Sequence, residues 1–135
     1  MRILTLIIKQ NWFDKIMSGE KKEEYREITP RTQKKYVEVD NEGYAKEDAN
    51  GNCIPKKYDA IRFYVGYNKD RDSALIKVKD AKVDYICDEE TKEPIAYELD
   101  EKDKNGEPVY WVAAQITFML GDVIEKQWQH GQAKK

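Results

Sequence analysis

The stretch ILTLIIKQNWFDKIMSGEKKEEYRE, residues 3 to 27, contains three consecutive patterns that decide the fold. Residues 3 to 9 are mostly β-branched and apolar with little alternation, which predicts a strand buried on both faces. The following residues repeat apolar side chains at helical spacing and end at Gly19, which predicts a helix closed by a left-handed glycine. The segment from Lys22 to Ile28 then predicts a strand in which neither face is apolar.

The predicted helix has sequence signals at its start and along one face. Asn11 is the expected N-cap, and Asp14 is placed in the first turn, where a carboxylate interacts favourably with the helix dipole. The apolar residues of the helix are spaced so that they form one stripe, which we expect to pack into the core. They are Trp12, Phe13, Ile16 and Met17.

The charged strand has two interpretations. Lys22, Glu24 and Arg26 share one side of a regular strand, and the intervening residues share the other. In the first interpretation this is an edge strand whose solvated charges discourage aggregation. In the second, one charged row faces an open binding groove.

The rest of the chain predicts strands and turns. Thr29-Pro30 has the pattern of an N-cap followed by a first helical residue, so residues 30 to 36 are predicted to form a short basic helix or a turn. Several turn signals in residues 37 to 57 indicate an insertion, with a hairpin that pairs residues 36 to 39 with the region of Ala45. Further strands are predicted over residues 60 to 67, 74 to 87 and 109 to 120, the last ending at Gly121-Asp122. Residues 123 to 128 are predicted to form one more strand or a turn. Together they indicate an α+β fold of five to seven strands in a mixed or barrel-like sheet, with one or two short helices.

Length and charge limit the organisation and the partners. The chain has 135 residues, which suits a single domain over residues 1 to 129 with a polar tail at residues 130 to 135. Lys and Arg number 24 against 26 Asp and Glu, so the net charge is only -2. A uniformly basic protein that coats nucleic acid is not indicated, although a local basic cleft is compatible with this balance.

Cysteine and histidine usage narrows the chemistry. Cys53 and Cys87 occur without CxxC spacing, which predicts no metal site and no disulfide framework, and favours a reducing cytoplasm. The single histidine, His130, lies in the polar tail, so a His-dependent triad or a His-ligated zinc is not expected. The N-terminal apolar run is too short for a membrane span. We therefore expect no metal, no cofactor and no membrane partner.

Two regions resemble the ASCH domain, a branch of the PUA-like superfamily. The first contains a strand ending in Lys9, a helix with WFDKI, and G-x-K-x-x-E-x-R at Gly19, Lys21, Glu24 and Arg26. The second is YDAIRFYVGY, residues 58 to 67. The resemblance implies a small PUA-like β-barrel with a polar groove beside the first helix, and recognition of RNA or of a modified nucleotide.

The resemblance also suggests the residues of the site. It implies that Gly19 forms the turn and that Lys21, Glu24 and Arg26 line the groove. Arginine holds phosphate oxygens in a planar fork, lysine supplies a compact charge, and tyrosine offers a stacking surface for bases of single-stranded RNA. Further ligand-binding candidates on this chemistry are Lys9, Arg62, Tyr64 and Tyr67. The expected partner is single-stranded RNA, a nucleotide or a nucleoside.

Whether the chain is an enzyme is left open. Some ASCH proteins resemble amidohydrolases of acylated cytidine nucleosides that use a Lys, a Thr nucleophile and a distal Glu. Here Glu24 replaces the Thr, which weakens this alternative because a carboxylate cannot serve as the hydroxyl nucleophile. The distal residue is not assigned among Glu93, Glu98 and Glu101. Other members are similar to metal-independent ribonucleases, for which Lys21 and Glu24 would be the catalytic residues beside Arg26.

Overall fold

The computed structural model describes residues 1 to 130, so residues 131 to 135 of the predicted polar tail lie outside the described residues. Strands dominate, with two short helices, which confirms the predicted α+β class. The elements in chain order are β1 (Ile3–Ile8), α1 (Gln10–Met17), β2 (Glu23–Ile28), α2 (Gln33–Tyr36), β3 (Ala60–Val65), β4 (Ser73–Tyr85), β5 (Ala96–Lys102), β6 (Pro108–Val112) and β7 (Ala114–Gln127). The seven strands of the described residues fall within the predicted number.

The strands pair in two sheets. One has five strands in the order β1-β3-β4-β7-β2, and the other pairs β5 with β6. β1 runs parallel to β3, with Ile3 opposite Ala60, whereas β3 and β4 are antiparallel, with Ile61 opposite Ile76. The predicted mixed sheet is therefore confirmed. Among residues 1 to 130 the sheets do not close, so the predicted barrel is not confirmed.

The chain divides into two compact units. The first unit contains residues 1 to 24, 57 to 81 and the chain from Phe118 on, and the second unit contains residues 25 to 56 and 82 to 117. Both units are discontinuous in sequence, because β2, β4 and β7 each have residues in both. The assignment of a single domain to residues 1 to 129 stays a prediction.

β1 contributes one face to the core of the first unit. Leu4, Leu6 and Ile8 are buried, whereas Ile3 and Thr5 are exposed. The prediction that β1 is buried on both faces was wrong. β-branched residues suit a strand whether or not they are buried, so their presence on the outer face hid the alternation.

α1 begins two residues earlier than the sequence predicts. Its N-cap is Lys9 rather than Asn11, and no acidic residue lies in its first turn. Phe13 and Ile16 are buried, as the apolar stripe predicts. The prediction was wrong for Trp12, which is 43% exposed, and Met17 is only half-buried. Gly19 follows the helix with φ of +85°, which confirms the left-handed glycine that ends it.

Asp14 and Asp72 join α1 to other parts of the first unit. The Asp14 carboxylate accepts hydrogen bonds from Gln10 Nε2 at 3.0 Å and from Trp128 Nε1 at 2.9 Å. Asp72 is fully buried, and its carboxylate accepts from Gln10 Nε2 at 3.0 Å and from the backbone N–H of Gln129 at 2.7 Å. The backbone N–H of His130 also donates to Asp72, at 3.0 Å. These bonds fix residues 128 to 130 beside the start of α1.

The second unit contains α2 and the predicted insertion. α2 is shorter than the predicted helix over residues 30 to 36, because the Thr29 backbone N–H donates to Thr32 Oγ1 at 2.9 Å and closes a turn before the helix. Val39 pairs with Ala45, which confirms the predicted hairpin. Two further bridges in this region join Val37 to Pro55 and Glu47 to Cys53.

The predicted strand from Val109 to Leu120 is divided, and it does not end at Gly121-Asp122. The chain changes partners at Ala113, whose N–H donates to Ile95 O at 2.8 Å while its carbonyl accepts from Ile86 N at 2.9 Å. β7 then continues through Gly121 to Gln127. A Cβ at Gly121 would lie 3.0 Å from Lys79 Cγ, so the glycine permits a close approach rather than a turn.

Candidate anion-binding groove

Lys21 and Glu24 form an ion pair beside α1 in the first unit. Lys21 Nζ lies 3.5 Å from Glu24 Oε1, and the two side chains are only 17% and 9% exposed. The ammonium of Lys21 is also 5.5 Å from the centre of the Trp12 ring, which Lys15 approaches to 5.0 Å. A solvated edge does not describe this end of β2, because Glu24 is buried in it.

The chain path after α1 explains the position of Lys21. The Gly19 N–H donates to Ile16 O at 3.1 Å, and the Lys21 N–H donates to Lys15 O at 2.9 Å. These bonds turn the chain back along the last turn of α1. The Lys22 carbonyl then accepts from Leu120 N at 2.9 Å, which joins the start of the charged segment to β7.

A groove of about 470 Å³ opens beside this segment, between the end of α1 and strands β4 and β7. We call it the lysine groove. Its apolar part is formed by Ile16, Ile76 and Leu120. The charged residues that line it are Lys21, Lys22, Lys77, Lys79 and Asp122.

The charge of the lysine groove favours an anion. Four lysines and one aspartate give it an excess of positive charge, although the whole chain is slightly acidic. Its volume falls in the range of roughly 300–1,000 Å³ that is usual for small-molecule sites. A lining that combines apolar residues with lysines suits a ligand with a flat apolar part and a phosphate or carboxylate.

Arg62, on β3, is placed at a different cavity of the first unit. It pairs with Glu125 at 3.0 Å and lines a cavity of about 220 Å³. It is not among the described residues that line the lysine groove. The structure therefore does not bring Arg62 together with Lys21.

The remaining predicted residues are placed separately. The Arg71 guanidinium lies 3.9 Å from the centre of the Tyr64 ring, which covers one face of this tyrosine. Tyr67 is 83% exposed, and Lys9 is exposed at the N-cap of α1. Arg26 belongs to the second unit and is half-buried on β2.

Sequence reasoning missed most of the lysine groove. The sequence predicts that Lys22 lies in the charged strand. No pattern in it predicts that Lys77, Lys79 and Asp122 line the same groove. The available signal was a change in β4, where the buried run from Ala74 to Ile76 gives way to exposed lysines at alternate positions.

Within residues 1 to 130, no group of three or more His, Cys, Asp or Glu side chains is arranged to hold a metal ion. Neither of the helices in this range has the length and apolar character that crossing a bilayer requires.

Comparison of the chain with protein-family models, with curated proteins and with solved structures finds no match. The resemblance to ASCH domains thus depends on the motifs in residues 3 to 27 and 58 to 67 alone.

Proposed function

We propose that this chain is an ASCH-like module that binds single-stranded RNA or a modified nucleotide in the lysine groove. The observation that carries the proposal is that Lys21, Lys22, Lys77 and Lys79 line one groove together with apolar residues. Ammonium groups neutralise phosphates, and apolar side chains accept part of a nucleobase or ribose.

The ligand is short or single-stranded. The chain has a net charge of -2, so its positive potential is local to the groove and does not extend along a duplex. The logarithm of the affinity for a single strand falls with the logarithm of salt concentration by roughly 0.7 for each phosphate contacted. Four lysines thus predict a slope no steeper than about -3.

Glu24 acts on the ligand through Lys21. Its carboxylate is buried and 3.5 Å from the ammonium, so it restricts the positions that the lysine side chain samples. A lysine held in this way loses less conformational entropy when it binds phosphate. Glu24 is therefore a positioning residue in the binding function.

The same proposal includes membership in the ASCH family, a PUA-like arrangement of the strands, and a cytoplasmic location. Ligand contacts by Arg26 and by the other predicted residues also stay predictions, namely Lys9, Arg62, Tyr64 and Tyr67. Substitution of each by alanine tests these contacts one at a time.

A metal-independent ribonuclease is the second candidate, because Lys21 and Glu24 lie within one ion pair beside the groove. A carboxylate and an ammonium at this spacing can move a proton and stabilise the charge of a pentavalent phosphate. The amidohydrolase alternative lacks such an observation, since Glu24 cannot act as a hydroxyl nucleophile.

Fluorescence anisotropy with labelled single-stranded RNA and DNA oligomers tests the binding function, at several salt concentrations. We expect Lys77→Ala and Lys79→Ala each to weaken binding and to reduce the salt slope by roughly 0.7. Lys69→Ala is the matched control, because it removes the same charge from an exposed turn outside the groove lining. Equal affinities for all three variants and the wild type would overturn the proposal.

The same samples, run on a denaturing gel, separate the two candidates. Intact RNA after long incubation supports a binding module. Cleavage that is lost in Glu24→Gln, while RNA binding by this variant is retained, supports the ribonuclease.

A further inference from the structure

The second unit contains a cavity of its own, of about 490 Å³, with aromatic walls. We call it the aromatic cavity. Tyr44, Tyr85, Tyr110 and Trp111 line it, together with aliphatic side chains of several strands. Tyr44 and Tyr110 are 69% and 60% exposed, so two of these rings lie at an opening accessible from solvent.

The charge of the aromatic cavity is opposite to that of the lysine groove. Among its described lining residues there is no lysine, arginine or histidine, and the charged one is Glu101. A second carboxylate acts nearby, because Glu47 adds to the effect of burial in raising the pKa of Cys53, which also lines the cavity. The cavity is thus unsuited to an anion.

The aromatic rings of the chain outside this cavity illustrate what such faces attract. Arg71 lies 3.9 Å from the centre of Tyr64, and Lys15 lies 5.0 Å from that of Trp12. Lys35 similarly approaches the ring of Tyr36, at 5.7 Å. In each case a cation of the chain lies over the negative face of a ring. The lining of the aromatic cavity supplies rings and a carboxylate but no cation of its own.

Hydrogen bonds hold the walls in place. The Trp111 indole N–H donates to Ile28 O at 3.1 Å, which fixes the orientation of the ring. The Tyr44 N–H donates to Asp40 Oδ1 at 3.0 Å, and Gln33 Nε2 donates to Gly43 O at 3.3 Å. The loop that carries Tyr44 is therefore attached to α2, and a ligand meets a largely formed site.

From this combination of shape and charge we propose that the aromatic cavity binds an organic cation with an apolar body, of the alkylammonium or quaternary ammonium class. The methyl groups of such a ligand contact the ring faces, and its positive charge interacts with the ring quadrupoles and with Glu101. A hydrated inorganic cation fits poorly, because aliphatic walls do not replace its water ligands. The site is independent of the function proposed for the lysine groove.

Titration calorimetry with choline, and with the uncharged analogue in which carbon replaces the quaternary nitrogen, tests the proposal. The two molecules have nearly the same shape, so their difference reports the charge. We expect choline to bind roughly tenfold more tightly. Equal affinities, or tighter binding of the analogue, would overturn the proposal.

Three variants locate the site. Tyr110→Ala removes a ring face and is expected to weaken choline binding severalfold, whereas Tyr110→Phe keeps the face and retains binding. Glu101→Gln keeps the shape and is expected to weaken binding of choline but not of the analogue. Tyr25→Ala is the control, because it removes an exposed ring of the second unit that does not line the aromatic cavity.

If Tyr110→Ala destabilises the second unit, the Glu101→Gln variant and the NMR resonance of Trp111 still test the proposal. Glu101 is exposed, so Glu101→Gln is expected to leave folding intact, which circular dichroism checks. In the wild type, choline should shift the NMR resonance of the Trp111 indole N–H. Choline binding that leaves this resonance unmoved and is unaffected by Glu101→Gln would place the ligand elsewhere and refute the proposal.

Discussion

The ammonium of Lys21 and the carboxylate of Glu24 lie 3.5 Å apart, and both side chains are largely withdrawn from solvent. Lys21 lines the lysine groove, whereas Glu24 is buried behind it. One side chain of the pair is therefore available to a ligand, and the other is part of the interior that supports it.

Removal of the Glu24 charge should destabilise the fold. Glu24→Gln removes the buried carboxylate charge that lies 3.5 Å from Lys21 Nζ, and we expect the free energy of unfolding to fall by about 1–3 kcal/mol. Urea denaturation measures this loss. Glu20→Gln is the control, because Glu20 is exposed and the change there should stay within about 0.5 kcal/mol. Similar losses in the two variants would show that the ion pair has no structural role.

Gly121→Ala should separate stability from binding. The new Cβ would approach Lys79 Cγ to 3.0 Å, so the lysine side chain has to move. Alanine has less conformational entropy than glycine in the unfolded chain, so less entropy is lost on folding, which offsets this strain. We therefore expect a stability change within about 1 kcal/mol. RNA affinity should nevertheless fall, because Lys79 is displaced in the lysine groove. An unchanged affinity would mean that Lys79 does not contact the ligand.

Asp72→Asn should loosen residues 128 to 130. The carboxylate accepts hydrogen bonds from Gln10 and from two backbone N–H groups, but an amide offers only one acceptor oxygen. We expect a loss of about 2 kcal/mol in the free energy of unfolding. Hydrogen exchange at the amides of Gln129 and His130 should accelerate more than exchange in β1. Uniform acceleration would indicate global destabilisation instead.

The two cysteines should differ in reactivity. Burial raises the pKa of the Cys53 thiol, and the Glu47 carboxylate adds to this shift, so less thiolate is present at neutral pH. Cys87 is exposed. We expect iodoacetamide to modify Cys87 first. The alkylation rate at Cys53 should continue to rise at pH values where an ordinary thiol is already deprotonated. Mass spectrometry of single-cysteine variants follows each site, and equal rates in both would contradict the prediction.

Local sequence patterns predicted where the helices and strands lie better than they predicted which residues of each element are buried. The helical spacing of Phe13 and Ile16 identified the buried face of α1, and Gly19 identified its end. The apolar run of β1 gave the strand but not its exposed face, since β-branched residues occupy both. The predicted end of the strand at Gly121 was wrong, because sequence does not distinguish a glycine in a turn from one that a neighbouring lysine side chain approaches closely.

The sites were less predictable, because they combine residues that are distant in sequence. The motif at residues 19 to 26 located Lys21 and Glu24, which are close along the chain. Lys79 joins them only through the packing of β4 beside α1 and β7. The aromatic cavity had no sequence signal, because its three tyrosines come from three separate segments and each is an ordinary residue in its own strand or loop.

The parallel pairing of β1 with β3 has a consequence for the kinetics of folding. Ile3 lies opposite Ala60, so the contact can form only after α1, β2 and α2 have been synthesised. These elements lie in the loop that the contact closes. Closing a long loop costs entropy before the pairing compensates for it, and such non-local topologies fold slowly. The unpaired β1, with its run of apolar β-branched residues, is thus the segment most exposed to aggregation while the chain is still emerging from the ribosome.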